Sequence, residues 1–417
     1  MCHFIHQALS SISSIIKKRC RNLKEISRTD ICIVAHVHQR STFLSQFRVI
    51  LPRFKLDQQD AIDWLAAAHT DADRPDRSEE RPEPDYQRMR KLLSRFGCDP
   101  SRIQTRYSVL EDFTHLERSK MRIFELELDP SGSGSARRSE VFSEVVNEIF
   151  KQFYSEVTLP PDSIVHVTCT GYVSPSGAQS LVSDRQWGRI TEVLHAYHMG
   201  CYGSLPAIRI SRGLLACSDR PNPQVDIVHT ELCTLHMNPS LRTPEQLVVQ
   251  SLFADGLIKY TASKNATGPC LELLALREVI VPESQTSMTW KVGNFGMLMS
   301  LARDVPDLVA PHLMGILGEL CEPTGMSVSD ALATATFAIH PGGPKVIDRI
   351  QEALGLAPGQ VQASRDILKN HGNMSSATLP HIWKQLLDDP SVPSGQMIFS
   401  FAFGPGLTIS ASSMRKH

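Results

Sequence analysis

No stretch of the 417 residues approaches the roughly 18 consecutive apolar side chains that a membrane-crossing helix needs. The 10 cysteines (Cys2, Cys20, Cys32, Cys98, Cys169, Cys201, Cys217, Cys233, Cys270 and Cys321) include no C-x-x-C pair and share no repeated spacing. That argues against a zinc ribbon and against a disulfide framework, and a reducing cytoplasm is the expected location. Charge of one sign is not in excess either. The formal net charge is -1, so nothing points to nucleic acid as a partner. No short-period repeat is visible.

The N-terminus has no secretory leader order. Lys17, Lys18, Arg19, Arg21 and Lys24 follow the apolar residues Phe4, Ile5, Leu9, Ile12, Ile15 and Ile16 instead of preceding them. Residues 1–45 are expected to be an N-terminal extension, either disordered or an amphipathic helix, and membrane association is not expected.

Two halves of ordinary domain size fit the remaining length, 46–275 and 276–417. From Gln46 the text becomes globular. FRVILPRFKL alternates as a strand does, and DQQDAIDWLAAAH reads as a helix with Asp57 near its start. Residues 70–90 are charged and contain prolines, which predicts a surface loop running into a helix. The segment from Asp129, DPSGSGSARRS, reads as a flexible linker, since no G-K-[ST] follows its glycines. Further on, strands (IVHVTCTGYV, VDIVHTELCTLH, TATFAIHPGG) alternate with helices (TPEQLVVQSLFADG, ARDVPDLVAPHLMGILGEL). MIFSFAFGPGLTISASSM reads as two strands around a Gly-Pro-Gly bend. This order predicts α/β layers.

Three segments carry reactive side chains. In HMGCYGSLPAIRISRGLLAC, Cys201 precedes a long apolar-periodic stretch, which places it at a helix N-terminus, where the dipole favours a thiolate. In FAIHPGGPKVIDRIQEALGL, His340 ends an apolar strand and its glycines permit close approach of a ligand. In ILKNHGNMSSATLPHIW, Asn373 is flanked by small residues, and its amide can hydrogen-bond an enolate oxygen without titrating. Each alone is more often structural: a buried Cys, a turn His, a capping Asn.

Together the three resemble the type III polyketide synthases, the chalcone synthase-like branch of the thiolase superfamily. The separations, 139 (340 − 201) and 33 (373 − 340), agree with that family's Cys–His–Asn triad. HPGGP, GNMSSA and FGPG are close to family strings, and CTGYVSPSGAQ and ELCTLH look more like bacterial members than plant ones. The resemblance runs from about residue 46 to the C-terminus.

It implies a thiolase fold, α/β, with two duplicated halves in a layered αβαβα core. It implies a homodimer with Cys169–Gln179 in the contact. It implies acyl loading on Cys201 and decarboxylative condensation with a malonyl thioester, His340 and Asn373 holding the enolate, and no cofactor or metal. Substrates would be acyl-CoA and malonyl-CoA, with an acyl carrier protein as a further donor. The resemblance places Phe253, Met299, Cys169, Ser174, Cys233, His236 and Ser375 on the cavity wall, with Phe403, Gly404, Pro405 and Gly406 as a scaffolding loop. Met299 stands where plant members carry a gatekeeping Phe, and a flexible thioether suits a bendable acyl chain. Lys345, Lys91, Arg95, Lys120 and Arg106 are candidates for phosphate contact at the entrance.

His229, Cys233 and His236 are not expected to bind metal, because on a strand i and i+7 point to opposite faces. The product expected is an alkylpyrone or alkylresorcinol. The alternative is a stand-alone ketosynthase joining two carrier-bound β-ketoacyl chains into an α-pyrone. A third reading is a thiolase-fold partner without activity, which the intact triad disfavours.

Overall fold

The computed structural model describes residues 41–73, 81–126, 128–265 and 268–417. The expectations for residues 1–40 lie outside the described residues. The globular part begins earlier than Gln46. Strand β1 is Thr42–Ile50, and its inward side chains Thr42, Leu44 and Ser45 are buried. The alternating stretch after it is not one strand, because Leu51–Arg53 separate β1 from β2 (Phe54–Asp57). Helix α1 (Gln58–Ala72) starts at Asp57, whose carboxylate accepts the Gln59 N–H at 2.9 Å. Helix α2 (Glu83–Phe96) follows, then β3 (Thr105–Ser108), which pairs with β2.

The segment from Asp129 is a packed turn, not a flexible linker. It leads into α3 (Ser135–Phe153), and Ser131 and Gly132 are buried. The Arg138 guanidinium, itself 1% exposed, donates to the carbonyls of Ser131 (2.8 Å), Ser133 (2.7 Å), Met237 (3.0 Å) and Leu235. A buried cation surrounded by carbonyls fixes a loop that composition alone marks as loose.

The first half continues with β4 (Ser163–Thr168), α4 (Gly177–Asp184), β5 (Glu192–Tyr197), α5 (Ser204–Cys217), β6 (Gln224–Leu232), α6 (Pro244–Leu252) and β7 (Asp255–Ser263). The second contains β8 (Leu271–Ile280), the hairpin β9 (Met288–Gly293) and β10 (Gly296–Leu301), α7 (Val305–Cys321), α8 (Val328–Thr334) and β11 (Thr336–Ile339). Helices α9 (Pro344–Leu354), α10 (Gln362–His371) and α11 (Thr378–Asp388) lead to β12 (Met397–Gly404) and β13 (Thr408–Lys416).

The main sheet has the order β11-β12-β13-β8-β1-β7-β6-β4-β5. Read outward from its centre, each half repeats one pattern. From β1, an antiparallel step to β7, another to β6, then a parallel step to β4. From β8, an antiparallel step to β13, another to β12, then a parallel step to β11. Only β5 lacks a counterpart among the described residues. The repeat turns over between β7 and β8, so residue 275, where the sequence reading put the seam, lies inside β8.

Both faces of the strands are buried, and alternation divides them between cores. Phe337, Ile339, Phe399 and Phe401 face one core with α7 and α9. Ala338, Ile398 and Ala402 face another, with Leu205 and Ile208 of α5 and Ile382 and Trp383 of α11. Val165, Val167 and Ile227 of the first half enter that same core, while α1–α4 cover the far face. Helices α5 and α11 therefore form a central layer sheathed by strands of both halves. This is the five-layer αβαβα arrangement of the thiolase fold.

Candidate active site

The duplication brings the reactive segments together. Cys201 lies in a single 3₁₀ turn, Gly200–Tyr202, directly before α5, and Asn373 lies just before the turn Ser375–Ala377 that opens α11. The two turns pack on each other at the central layer. Cys169 and His340 occupy matching places as well. Each is the residue after its half's parallel strand, β4 and β11.

Cys201 is 7% exposed, His340 and Asn373 each 1%. Backbone bonds fix the latter two. The His340 N–H donates to Phe401 O (2.8 Å), and the Ile339 N–H before it donates to Ser364 Oγ (2.8 Å). Asn373 donates its N–H to Leu252 O (3.0 Å) and accepts the Ala254 N–H (2.9 Å), a bridge that sets Phe253 beside it. The Asn373 amide oxygen accepts the Ser375 N–H at 2.8 Å. Three buried side-chain nitrogens then have no partner: His340 Nδ1 and Nε2, and Asn373 Nδ2. Buried polar atoms are rarely left so, and such atoms mark a place where a ligand completes the bonding.

Burial pushes the Cys201 thiol up to about 12, while the neighbouring Ser375 and Asn373 side chains act the other way. Burial also lowers His340 to about 3. Burial therefore disfavours the charged form of each group, against the helix-terminus effect that the sequence suggests.

The space beside Cys201 is lined by Cys169, Thr170, Cys233, Phe253, Trp290, Met299, Ser375 and Pro405. A second space shares Cys233, Phe253, Trp290 and Met299 with it and continues to His236, Met297 and Arg106. Phe403 is buried at 3%, and a Cβ on Gly404 would lie 2.2 Å from the Tyr202 ring. Pro405 Cδ lies 2.6 Å from where a Gly200 Cβ would be, so both glycines are needed for the loop ending at Gly406 to reach the Cys201 turn.

Some expected positions differ. Ser174 is exposed and lines neither space; Thr170, four residues earlier, takes the place on the wall. Arg106 is not at an entrance. It is 5% exposed and donates to Gln58 Oε1 (2.7 Å), Gln250 O (3.0 Å) and Phe253 O (2.8 Å), holding the segment under Phe253. Lys120 is exposed and paired with Glu117. Lys91 and Arg95, with Arg88, line a surface groove on α2 that does not include Lys345, which is exposed in the first turn of α9.

His229 lies on β6, whereas Cys233–His236 form a turn after it, so strand geometry does not describe the three. Both nitrogens of His229 and of His236 already have partners. Among the described residues no group of three or more His, Cys, Asp or Glu is placed to hold a metal ion. No helix among them is long and apolar enough to cross a membrane.

Besides Thr170, two residues at the wall are not predicted from the sequence, Trp290 on it and Glu231 behind it. Trp290 donates its indole N–H to Cys169 O at 2.6 Å, and Glu231 accepts the Cys169 N–H at 3.0 Å behind the wall. An acidic residue inside the buried strand VDIVHTEL is the signal that marks Glu231; Trp290 carries none beyond the alternation of its hairpin.

The chain is similar to known proteins along most of its length. Residues 272–416 match the model for the C-terminal domain of chalcone and stilbene synthases. A putative chalcone synthase of Bacillus subtilis (strain 168) is 28% identical over 256 residues, 59% of this chain and 68% of that protein. The C-terminal type III polyketide synthase domain of Steely1, a type I/III hybrid from Dictyostelium, superposes with a TM-score of 0.74. It is 22% identical and covers 90% of this chain and 99% of its own. The 1,3,6,8-tetrahydroxynaphthalene synthase of Streptomyces coelicolor A3(2) superposes with a TM-score of 0.71. It is also 22% identical, over 89% of this chain and 99% of its own. Residues 272–416 therefore carry the C-terminal domain of chalcone and stilbene synthases, and the chain as a whole has the fold of these type III polyketide synthase structures, the thiolase fold.

Proposed function

We propose that this chain is an acyltransferase of the polyketide synthase type, joining an acyl starter to malonyl units. The observation that carries the reading is the trio of unpartnered buried nitrogens, His340 Nδ1 and Nε2 and Asn373 Nδ2, with Asn373 just before the turn that packs on the Cys201 turn. Cys201 attacks the thioester carbonyl of the acyl-CoA, its thiol proton passing to His340 and on to the CoA thiolate, which leaves as the free thiol when the C–S bond to CoA breaks. Asn373 Nδ2–H and a His340 N–H then donate to the malonyl thioester oxygen. Carbon dioxide leaves, the electron pair remains on carbon as an enolate stabilised by those donors, and it attacks the acyl-Cys201 carbonyl. The product is two carbons longer, and the Cys201 thiolate is released. No cofactor is needed for these steps.

The wall is flexible and apolar at Met299, which supports an aliphatic starter and an alkylpyrone or alkylresorcinol product. Arg88, Lys91 and Arg95 on one exposed face of α2 support binding of the CoA phosphates. Exposed Tyr172, in the Cys169–Gln179 segment, supports a C2 homodimer through that surface.

The test is turnover with malonyl-CoA and a panel of acyl-CoAs, read by product mass. Products equal to the starter plus whole two-carbon ketide units are expected. Activity only with carrier-bound β-ketoacyl donors would contradict this reading and favour the ketosynthase. No carbon dioxide release with any donor would contradict both.

A further inference from the structure

The hairpin β9–β10 carries Trp290 and Met299 into the cavity wall, yet it stands outside the main sheet. Among the described residues its two strands pair only with each other, and Val292 and Leu298 on it are exposed. Two paired strands are not a stable unit by themselves, so other elements must fix where this wall stands. Its tip is held by Ser135 at the start of α3, which accepts the Gly296 N–H (2.9 Å) and donates its own N–H to Asn294 O (2.8 Å).

The free edge of β10 is held differently. Alternate residues of a strand turn their backbone groups to the same edge, and three of them are met here by side chains. His236 Nδ1 accepts the Met297 N–H (3.1 Å), Gln246 Nε2 donates to Met299 O (2.7 Å), and the Glu245 carboxylate accepts the Leu301 N–H. These side chains stand where the backbone of a third strand would be. His236 and Gln246 also line the second space, whereas Glu245 lines neither space.

Glu245 and Gln246 lie in the first turn of α6. Thr243 caps that turn by accepting the Gln246 N–H (3.3 Å), Pro244 opens it, and a carboxylate there is favoured by the helix dipole. The other end of α6 belongs to the reactive site. Leu252 O accepts the Asn373 N–H (3.0 Å). Gln58 donates to Ser251 O (2.9 Å), and Arg106 to Gln250 O and Phe253 O. That end is therefore fixed independently of the hairpin. Helix α6 acts as a rigid spacer, with Asn373 and Phe253 held at one end and the backbone of Met299 at the other.

We propose that Glu245, together with Gln246, is a positioning residue for starter selection. By holding the free edge of β10 it sets how far Met299 stands from Phe253, and so which acyl chains the cavity accepts. The inference rests on the function proposed above. Glu245 takes no part in loading, decarboxylation or condensation, and its loss should release the hairpin while leaving Asn373 in place.

The experiment compares Cys201 loading by C2 to C16 acyl-CoAs, read by intact mass, with malonyl-CoA decarboxylation in the same proteins. Glu245→Leu keeps most of the bulk and removes the acceptor. Its C12-to-C4 ratio of loading rates should shift about tenfold from the wild-type value, with decarboxylation unchanged. Deuterium uptake by the peptide spanning β10 should rise in the same variant. Glu245→Gln, whose amide oxygen can accept the Leu301 N–H, should restore both the ratio and the uptake. Gln246→Met removes the donor to Met299 O at nearly constant volume and covers the case in which Glu245→Leu does not fold; it should shift the ratio as well. An unchanged ratio in the variants that fold would overturn the proposal, and so would an equal loss of loading for every chain length together with decarboxylation. A wild-type protein that neither loads Cys201 nor decarboxylates malonyl-CoA would overturn the proposed function instead.

Discussion

Met299 stands directly opposite Trp290 in the β9–β10 register, and Trp290 is tied through its indole N–H to the carbonyl of Cys169. One side of the partition between the two spaces is thus a rigid, hydrogen-bonded ring and the other a flexible thioether. Gln246 Nε2 holds the Met299 carbonyl at 2.7 Å, so the backbone is fixed while the side chain can move.

Replacing Met299 by Phe should therefore close the second space. We expect kcat/KM for C8–C16 acyl-CoAs to fall, with acetyl and butyryl starters little affected. Measuring kcat/KM across C2 to C16 for both proteins checks this. Parallel profiles would assign chain length to the deeper wall at Cys233 and His236.

Asn373→Ala removes an amide whose nitrogen has no other partner. Losing one donor to a developing oxyanion costs roughly 2.7–4 kcal/mol of barrier. Malonyl-CoA decarboxylation should fall by about 10²–10³-fold while Cys201 still loads a starter. Carbon dioxide release at the wild-type rate would make Asn373 a turn residue only.

Gly404→Ala should damage the site from outside the cavity. Its Cβ would meet the Tyr202 ring at 2.2 Å and Met199 O at 3.2 Å, pushing on the turn that carries Cys201. A shift of that kind can cost roughly 100-fold in rate. The expected result is a folded protein by circular dichroism with a proportionate loss of kcat/KM; retained activity would mean that Tyr202 yields freely.

Acid should weaken the fold well before its carboxylates titrate. Burial lowers His166, His236, His340 and His381 to about 3, and His69 and His371 to about 4, from 6.5. A lowered folded pKa contributes stability that is present above pH 6.5 and lost as pH falls toward the folded values. Asp255, raised to about 6 by burial, and Glu231, also raised by burial, act in the opposite sense but are two groups against these six. The urea midpoint should therefore be lower at pH 5 than at pH 7.5. An equal or higher midpoint at pH 5 would contradict the assignment of these histidines as buried and neutral.

Strand-and-helix alternation and the Gly-Pro-Gly bend are legible because period and turn chemistry are local. The reactive trio is legible because its spacing and flanking strings are distinctive. What local pattern cannot give is which side a residue faces after a turn. Ser174 was expected on the wall but lies exposed, whereas Thr170 faces inward. Arg106 looks like a surface base, yet three acceptors far away in sequence bury it. The turn from Asp129 reads as loose until Arg138 is seen gathering its carbonyls. Each difference comes from a long-range partner, which composition does not encode.

The central claim is that Cys201 carries the acyl group, and intact-mass spectrometry with peptide mapping after brief exposure to acyl-CoA tests it most directly. The account predicts one acyl group per chain, on the Cys201 peptide, and none in a folded Cys201→Ala variant. Acylation of Cys169 or Cys233 in its place, or undiminished labelling of the variant, would contradict it.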